Sequence, residues 1–264
     1  MLTRIITGVV ALAVFVPVLF LSHTLIFDIA IALISLIGTF ELLGCVGVVK
    51  KYAVSVPSAV FSAVVPLMFR YVKFEFVFAA FVLYLFCLLY AALFFRKNIS
   101  TTDAAAAFFS AVLVCLSFTS IIAVRNLENG GFWYLLIFIG AWITDTFAYF
   151  TGRIIGKHKL APVVSPKKTI EGSIGGVIFC VAAFIIYGYT AGRTDYITLA
   201  ALGIAVSVIS QLGDLSMSAV KRNYGVKDFG SIFPGHGGIL DRFDSVMAAA
   251  PAMMVVGIFI SEFA

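Results

Sequence analysis

The sequence is poor in charged residues, and this shortage excludes an ordinary soluble protein. Only 12% of its 264 residues are charged, whereas 62% are hydrophobic and the mean hydropathy is +1.11. Soluble domains carry about 25% charged residues. The apolar runs are unbroken, unlike the alternating segments of about 10 residues in a transmembrane β-barrel. We therefore predict an all-α, polytopic integral membrane protein.

The sequence also lacks the patterns of common redox, zinc and nucleotide sites. Its four cysteines are scattered singly and form no C-x-x-C pair, which argues against a thiol-based metal or redox centre. One histidine, His236, lies in a glycine-rich stretch but has no second histidine at metal-ligand spacing, so we expect no zinc site. The G-x-x-x-x-G-K-[ST] spacing of a P-loop is missing as well.

About nine apolar runs are long enough to cross a bilayer, which takes about 20 helical residues. They are residues 4–22, 25–48, 54–70, 76–95, 104–124, 131–152, 173–191, 196–219 and 245–263. With the N-terminus in the cytoplasm, 14 of the 18 Lys and Arg residues, including Arg4, fall on the cytoplasmic side. The positive-inside rule favours this orientation. We expect a multi-pass protein of the plasma (inner) membrane.

The chain divides into two regions of different polarity. Residues 1–130 are predicted to form a transmembrane scaffold with possible dimer contacts. Glu41 is an exception to their apolar character, and we interpret it as an interfacial residue or a partner of a neighbouring helix. Residues 131–264 are predicted to form the catalytic region, with cytoplasmic loops 153–172 and 221–244.

Four aspartates lie within or at the edge of apolar spans in the second region: Asp145, Asp214, Asp241 and Asp244. An ionised carboxylate in a bilayer costs about 3 kcal/mol, so such residues indicate a functional site. Salt bridges between helices are the alternative explanation.

Helical spacing groups these acids with other polar residues. Two stripes result: Ser207, Gln211, Asp214, Ser218 and Lys221 in the eighth span, and Asp145, Tyr149 and Arg153 in the sixth. A polar face does not contact lipid, so each stripe must line a water-filled or protein-lined cavity. Both run from an acid towards a cytoplasmic base, which predicts a funnel open to the cytoplasm.

The loop 153–172 contains two adjacent lysines, Lys167 and Lys168. Ser165-Pro166 has the pattern of a helix N-cap and first helical position. The lysines would then occupy the first turn, where the helix dipole disfavours cations unless a polyanion binds there. The alternative is that they only set the orientation of the chain. Glycines at 172, 175 and 176 allow close helix packing or close approach of a ligand.

The loop 221–244 combines basic residues, glycines and paired aspartates. Lys221, Arg222 and Lys227 precede a glycine-rich turn that contains Gly237 and Gly238. Glycines permit positive φ and expose amide donors. Carboxylates hold Mg²⁺, which keeps phosphate oxygens as further ligands, and basic residues neutralise phosphate. The loop therefore predicts a metal–phosphate site.

Two residues of this loop keep alternative interpretations. His236 is either a hydrogen-bonding partner of phosphate or a structural residue. Arg242 lies between Asp241 and Asp244, and is either their ionic partner or a phosphate clamp.

One long motif spans this region. It consists of Ser218, Lys221-Arg222, Lys227-Asp228, Phe233-Pro234, His236-Gly237-Gly238, Asp241-Arg242 and Asp244. Together with the segments WITDTFAYFTGRIIGKHK, SPKKTIEG and QLGDLSMS, it resembles the phosphatidate cytidylyltransferase family, the CDP-diacylglycerol synthases. The resemblance covers about residues 140 to 245, and the long motif shows no departure from the family pattern.

The resemblance implies transfer of CMP from CTP to phosphatidic acid in a lipid membrane. It implies Mg²⁺, with room for a second cation such as K⁺, a homodimer, and no nucleic-acid partner. The metal-binding acids of the family match Asp214 and Asp241. We expect the catalytic residues to be Asp214, Asp241, Asp244, Lys221 and Arg222. We expect the substrate-binding residues to be Asp145, Lys167, Lys168, Ser218, Lys227, His236, Gly237, Gly238 and Arg242.

The residue types of the sequence also suit this CMP transfer when the resemblance is set aside. A phosphate monoester is mostly dianionic at pH 7 because its second pKa is about 6, so it attacks without a strong general base. This agrees with a sequence in which we recognise no His–acid pair. The alternatives are a CTP-dependent enzyme of another lipid (an ether-lipid cytidylyltransferase or a polyprenol kinase) and a cation-coupled transporter with Asp145 and Asp214 as its ion site. The D-G-x-x-A-R motif of CDP-alcohol phosphotransferases is absent.

Overall fold

The computed structural model describes residues 13–233, 235 and 237–263. Within these ranges, eight helices have the length and apolar composition needed to cross a membrane. They are α1 (Leu25–Cys45), α2 (Tyr52–Phe69), α3 (Phe74–Phe94), α4 (Thr101–Asn126), α5 (Gly130–Ile155), α6 (Ile170–Thr190), α7 (Tyr196–Asn223) and α8 (Leu240–Phe263). The all-α, polytopic class is thereby confirmed.

The first predicted span is described only in part. Residues 13–20 are helical, whereas residues 4–12 of the span, including Arg4, lie outside the described residues, as does His236. The count of nine spans and the cytoplasmic N-terminus stay predictions.

The helices that carry the predicted site extend further than their apolar runs. Helix α7 continues to Asn223, so Lys221 and Arg222 lie in its last turn. Helix α8 begins at Leu240, five residues before the predicted start at 245, and has Asp241 in its first turn. Apolar runs measure only the lipid-soluble part of a helix, and both helices continue into polar sequence. Cations at a helix C-terminus and an acid at a helix N-terminus also complement the helix dipoles.

A short β-hairpin joins α5 to α6, and it corrects one prediction. Strand β1 (Lys159–Ala161) pairs antiparallel with β2 (Ser165–Thr169). Helix α6 therefore starts at Ile170 and not at Ser165-Pro166. The residue that caps it is Thr169, whose side-chain oxygen accepts a hydrogen bond from the Gly172 N–H at 3.1 Å. The prediction failed because strand pairing with residues earlier in the chain outweighs a local capping pattern.

The chain forms two compact units. The first comprises the chain up to Asn126 together with Tyr224–Arg242, and it contains helices α1 to α4. Its buried core includes Phe61 stacked on Tyr84, whose ring centroids lie 4.3 Å apart. The Tyr84 hydroxyl lies 2.8 Å from the Ser58 hydroxyl, so the polar end of this aromatic pair is also satisfied.

The second unit comprises Leu127–Asn223 and the chain from Phe243 onward. Glycines bring α5 and α6 into close contact. A Cβ atom on Gly172 would lie 2.5 Å from the Ala148 carbonyl oxygen, and one on Gly176 would lie 3.0 Å from that of Thr144. Of the two roles expected for these glycines, close helix packing is the one that the contacts support. The assignment of residues 1–130 to a scaffold and 131–264 to catalysis stays a prediction.

Candidate functional site

The second unit contains a group of acidic, basic and hydroxyl side chains, which we call the acid–base cluster. Its members are Asp145, Lys168, Asp214, Ser218, Lys221, Asp244 and Ser245. Lys168 Nζ lies 2.5 Å from Asp214 Oδ2, and the Ser218 hydroxyl donates to Asp214 Oδ1 at 3.2 Å. Lys221 Nζ lies 4.0 Å from Asp244 Oδ2. The cluster therefore pairs two intramembrane acids with two amines.

Four elements supply the cluster. Helix α7 contributes Asp214, Ser218 and Lys221 from one face, as the spacing predicted. Asp145 comes from α5, Lys168 from β2, and Asp244 and Ser245 from α8. Asp244 interacts electrostatically with both Asp145 and Asp214, so the three carboxylates share one environment.

The inner end of the α7 stripe contacts protein. The Thr144 hydroxyl donates to Ser207 Oγ at 2.9 Å, and Gln211 Nε2 donates to the Ser173 carbonyl oxygen at 3.3 Å. These bonds to α5 and α6 give Ser207 and Gln211, the inner members of the stripe, partners within the protein. The protein-lined environment is thus confirmed for this end of the stripe, and the funnel open to the cytoplasm stays a prediction.

Ser245 belongs to the acid–base cluster but was not among the predicted site residues. Its hydroxyl is buried and donates to Asp145 Oδ2 at 2.7 Å. The two residues are 100 positions apart, so no periodicity connects them. A signal was available, since Ser245 directly follows Asp244, the last aspartate of the motif.

The α5 stripe has its basic end at the surface. Arg153 Nη1 donates to the Tyr149 hydroxyl at 3.2 Å, and both side chains are exposed. The four-residue spacing therefore correctly predicted a shared face. Asp145, one turn earlier, is partly buried and belongs to the acid–base cluster.

Other predicted basic residues lie at the surface. The exposed ones are Lys167, Arg222, Lys227 and Arg242. Exposure leaves them accessible to an anionic partner, and their assignment to particular phosphates stays a prediction.

Asp241 belongs to the first unit, where backbone amides hold its carboxylate. Its Oδ2 accepts hydrogen bonds from the Phe229 N–H at 2.8 Å and the Gly238 N–H at 2.9 Å. The predicted positive φ is confirmed at Gly237, where φ is 83°, and also at Gly235, where it is 78°. The amide of Gly238, which was named as a substrate-binding residue, donates to Asp241 in this structure.

The structure contains a histidine–carboxylate pair, although we recognised none in the sequence. His158 Nδ1 lies 2.6 Å from Glu171 Oε1. The Glu171 carboxylate also accepts from the backbone N–H groups of Lys157 and His158, at 3.1 and 3.2 Å. The pair thus joins the start of the hairpin to the first turn of α6. The sequence did not reveal this pair because the two residues are 13 positions apart and lie in different segments of the structure.

The sequence is similar to known proteins over nearly its whole length. A model of the cytidylyltransferase family matches residues 2–260. The chain belongs to the cytidylyltransferase family. It is similar to the phosphatidate cytidylyltransferase of Staphylococcus haemolyticus, with 37% identity over 97% of this chain and 98% of that protein. The Bacillus subtilis enzyme of the same name is 44% identical over 54% of each chain. That of Staphylococcus aureus (strain COL) is 43% identical over 61% of this chain and 62% of that protein.

The donor chemistry of this cytidylyltransferase suits Mg²⁺. Among the side chains that the structure describes, no three His, Cys, Asp or Glu residues form a ready-made metal site. Two cluster carboxylates, Asp214 and Asp244, are instead paired with amines, and the other oxygen beside Asp214 is the Ser218 hydroxyl. Mg²⁺ is usually held by one or two carboxylates together with waters and substrate phosphates. An all-oxygen donor set of this kind therefore fits the ion, and the joint use of Asp214 and Asp241 stays a prediction.

Proposed function

We propose that this protein transfers CMP from CTP to phosphatidic acid, giving CDP-diacylglycerol and pyrophosphate. The observation that carries the proposal is the acid–base cluster, with Lys168 on Asp214 and Lys221 near Asp244. It is built on three membrane-spanning helices and the β-hairpin. Family membership and the nearly full-length similarity to the S. haemolyticus phosphatidate cytidylyltransferase support it. Soluble nucleotide and membrane-bound phosphate are both polyanions, and the cluster offers cations to each.

The reaction needs positioned charge more than proton transfer. A phosphate oxygen of phosphatidic acid forms a bond to the α-phosphorus of CTP, and the bond from that phosphorus to the β-phosphate oxygen breaks. The nucleophile is mostly dianionic at pH 7, so no base has to remove its proton. The principal barrier is the repulsion between two polyanions. Fixed cations that hold both phosphates in line lower that barrier.

Lys168 and Lys221 are the residues that supply this charge from within the cluster. In the structure each amine faces a carboxylate, so neither acid is left without a cation. An arriving phosphate competes with the carboxylate for the amine, since both are anionic acceptors of charge-assisted hydrogen bonds. Lys167 and Arg222, in the same unit, are exposed and add positive charge at its surface, and Lys227 and Arg242 are exposed on the first unit.

Asp214 and Asp241 would hold Mg²⁺, with Asp145 and Asp244 as further oxygen donors or orienting groups. When bound, the ion supplies positive charge against the pyrophosphate leaving group. A second cation such as K⁺, a homodimer, a plasma (inner) membrane location and an active site facing the cytoplasm complete the proposal. The resemblance in the C-terminal half and the distribution of Lys and Arg support these parts.

The decisive experiment measures products from purified protein in detergent. We expect pyrophosphate release from CTP only when both phosphatidic acid and Mg²⁺ are present, with CDP-diacylglycerol identified by mass spectrometry. A kinase would release CDP, and a transporter would move substrate into liposomes without releasing pyrophosphate. An ether-lipid enzyme would prefer a dialkylglycerol phosphate over the diacylglycerol phosphate. Any of these results would overturn the proposal.

The metal assignment has its own test. Asp241→Asn should abolish nearly all turnover while membrane insertion is preserved, because an amide is a much poorer ligand of Mg²⁺ than a carboxylate. Asp195→Asn, the same change at an exposed position before α7, serves as the matched control. Near-normal activity of Asp241→Asn would show that the assignment is wrong.

A further inference from the structure

Glu41 forms a long-range contact within the first unit that the proposed chemistry does not use. It lies near the end of α1 and is buried. Its Oε1 accepts a hydrogen bond from the Ile239 N–H and its Oε2 accepts one from the Leu240 N–H, both at 2.9 Å. The donors are 198 and 199 residues away in the sequence. Glu41 therefore caps the N-terminus of α8 from a different helix.

The capped turn is the one that carries Asp241. The first N–H groups of any helix have no partner within the helix. Here three consecutive amides are bound by carboxylates: that of Gly238 by Asp241, and those of Ile239 and Leu240 by Glu41. The Asp241 carboxylate holds the amide that directly precedes the two amides bound by Glu41. The Glu41 carboxylate holds the turn from which the Asp241 side chain extends. Glu41 thus determines where the first turn of α8 begins, and with it the direction of the Asp241 side chain.

The loop is built to admit the Glu41 side chain. A Cβ atom on Gly230 or on Gly238 would collide with the Glu41 carboxylate. Glycine is therefore required at two separate positions for this one contact. In the part of the chain that the structure describes, no basic side chain forms an ion pair with Glu41. Its charge is stabilised by backbone N–H groups and the positive end of α8.

We propose that Glu41 is a positioning residue for Asp241. This inference rests on the proposed function, in which Asp241 binds the divalent cation. Groups that orient a metal ligand typically change metal affinity or activity by about 10- to 100-fold when they are mutated. Both oxygens of Glu41 accept an N–H. Glutamine offers one acceptor oxygen and turns an NH₂ group towards the second donor, so Glu41→Gln breaks one of the two bonds at almost constant volume.

The test compares Glu41→Gln with Glu75→Gln, the same change at an exposed position in the first turn of α3. Mn²⁺ binding is followed by electron paramagnetic resonance without substrates, and hydrogen exchange is followed in peptides covering residues 229–240. For Glu41→Gln we expect Mn²⁺ affinity to fall about 10- to 100-fold. Amide exchange at Ile239 and Leu240 should accelerate. The Mg²⁺ concentration that gives half-maximal pyrophosphate release should rise. The KM for CTP at saturating Mg²⁺ should stay near that of the wild type.

A second variant approaches the contact from the other side. Gly230→Ala pushes against the Glu41 carboxylate and should show the same Mn²⁺ and exchange changes. Wild-type Mn²⁺ affinity and wild-type exchange in both variants would overturn the inference, and so would loss of the folded protein in both, since Glu41 would then serve overall stability. Absence of pyrophosphate release from the wild type would instead count against the proposed function, so the two failures are distinguishable.

Discussion

Lys168 Nζ, on strand β2, lies 2.5 Å from Asp214 Oδ2, on helix α7, within one compact unit. A surface hairpin thus supplies the counter-ion of an acid on a membrane-spanning helix. Both side chains are mostly shielded, with 25% and 20% of their surface exposed. Because an acid in this setting needs a cation, the hairpin is part of the site and not only a connection between two helices.

Replacing Lys168 with methionine should damage both activity and stability. The variant removes a cation from the cluster and leaves Asp214 without its amine. Leaving a shielded charged acceptor without its partner costs about 1 to 3 kcal/mol, so we expect kcat/KM for pyrophosphate release to fall about 5- to 150-fold. The melting temperature in detergent should also fall. Lys159→Met, at an exposed position on β1, is the matched control, and equal behaviour of the two variants would contradict the role of Lys168.

Ser245→Ala should lower activity by a smaller factor. The change removes the donor of the 2.7 Å bond to Asp145 Oδ2 and leaves that partly buried carboxylate less well satisfied. A net contribution of about 0.5 to 1.5 kcal/mol corresponds to a 2- to 10-fold fall in kcat/KM. Ser216→Ala provides the comparison, because the exposed Ser216 hydroxyl donates only to the Leu212 carbonyl oxygen of its own helix. If the two alanine variants were equally active, Asp145 would not depend on Ser245.

An ion pair in the first unit should contribute to stability. Arg70 Nη2 lies 3.0 Å from Oδ1 of Asp28, whose side chain is fully buried. Arg70→Met leaves that carboxylate without its cation and should lower the free energy of unfolding by about 3 kcal/mol. The double variant Asp28→Asn/Arg70→Met should recover part of the loss, since residue 28 then carries no charge that lacks a partner.

Thermal unfolding in detergent, with activity normalised to folded protein, measures this effect. The normalised activity should remain close to that of the wild type. An unchanged melting temperature for Arg70→Met alone would show that the pair contributes nothing. Asp28 lies in α1 and Arg70 follows α2, so the pair is a finding of the structure.

Gly172→Ala should separate α5 from α6. The added methyl group would lie 2.5 Å from the Ala148 carbonyl oxygen and 2.9 Å from the Thr169 hydroxyl oxygen that caps α6. Overpacking of this kind typically costs about 1 to 3 kcal/mol. Gly44→Ala in α1 is the control, because its methyl group would meet nothing within 4 Å. It should be neutral or slightly stabilising, since alanine favours a helix over glycine by about 1 kcal/mol. Equal melting temperatures for the two variants would refute the packing argument.

Properties that depend on neighbours along one helix could be predicted from the sequence. The apolar runs located the membrane helices because a span needs about 20 apolar residues wherever it occurs. The spacing of Asp214, Ser218 and Lys221 predicted their common face because helical periodicity is local. The long motif in the C-terminal half correctly indicated the family over a region where specific residues recur.

Properties that depend on contacts between distant segments could not be predicted. The capping pattern at Ser165 gave the wrong start for α6, because pairing of β2 with β1 decided the conformation of that segment. The same limit hid Ser245 beside Asp145, which lies 100 residues earlier in the chain. The loop 153–172 contains four lysines, and their sequence does not distinguish them. Only the fold shows that Lys168 pairs with Asp214 whereas its neighbour Lys167 is exposed.

By itself, the sequence determined the class of the protein, the positions of its helices, its family and the residue types of its site. These follow from composition, periodicity and motif, which are local or additive properties of the chain. Tertiary structure alone decided which acid meets which amine and which carboxylate caps α8. Glu41 was recognised as unusual, yet its partners are 198 and 199 residues away, and only the packing of α1 near the start of α8 brings them together.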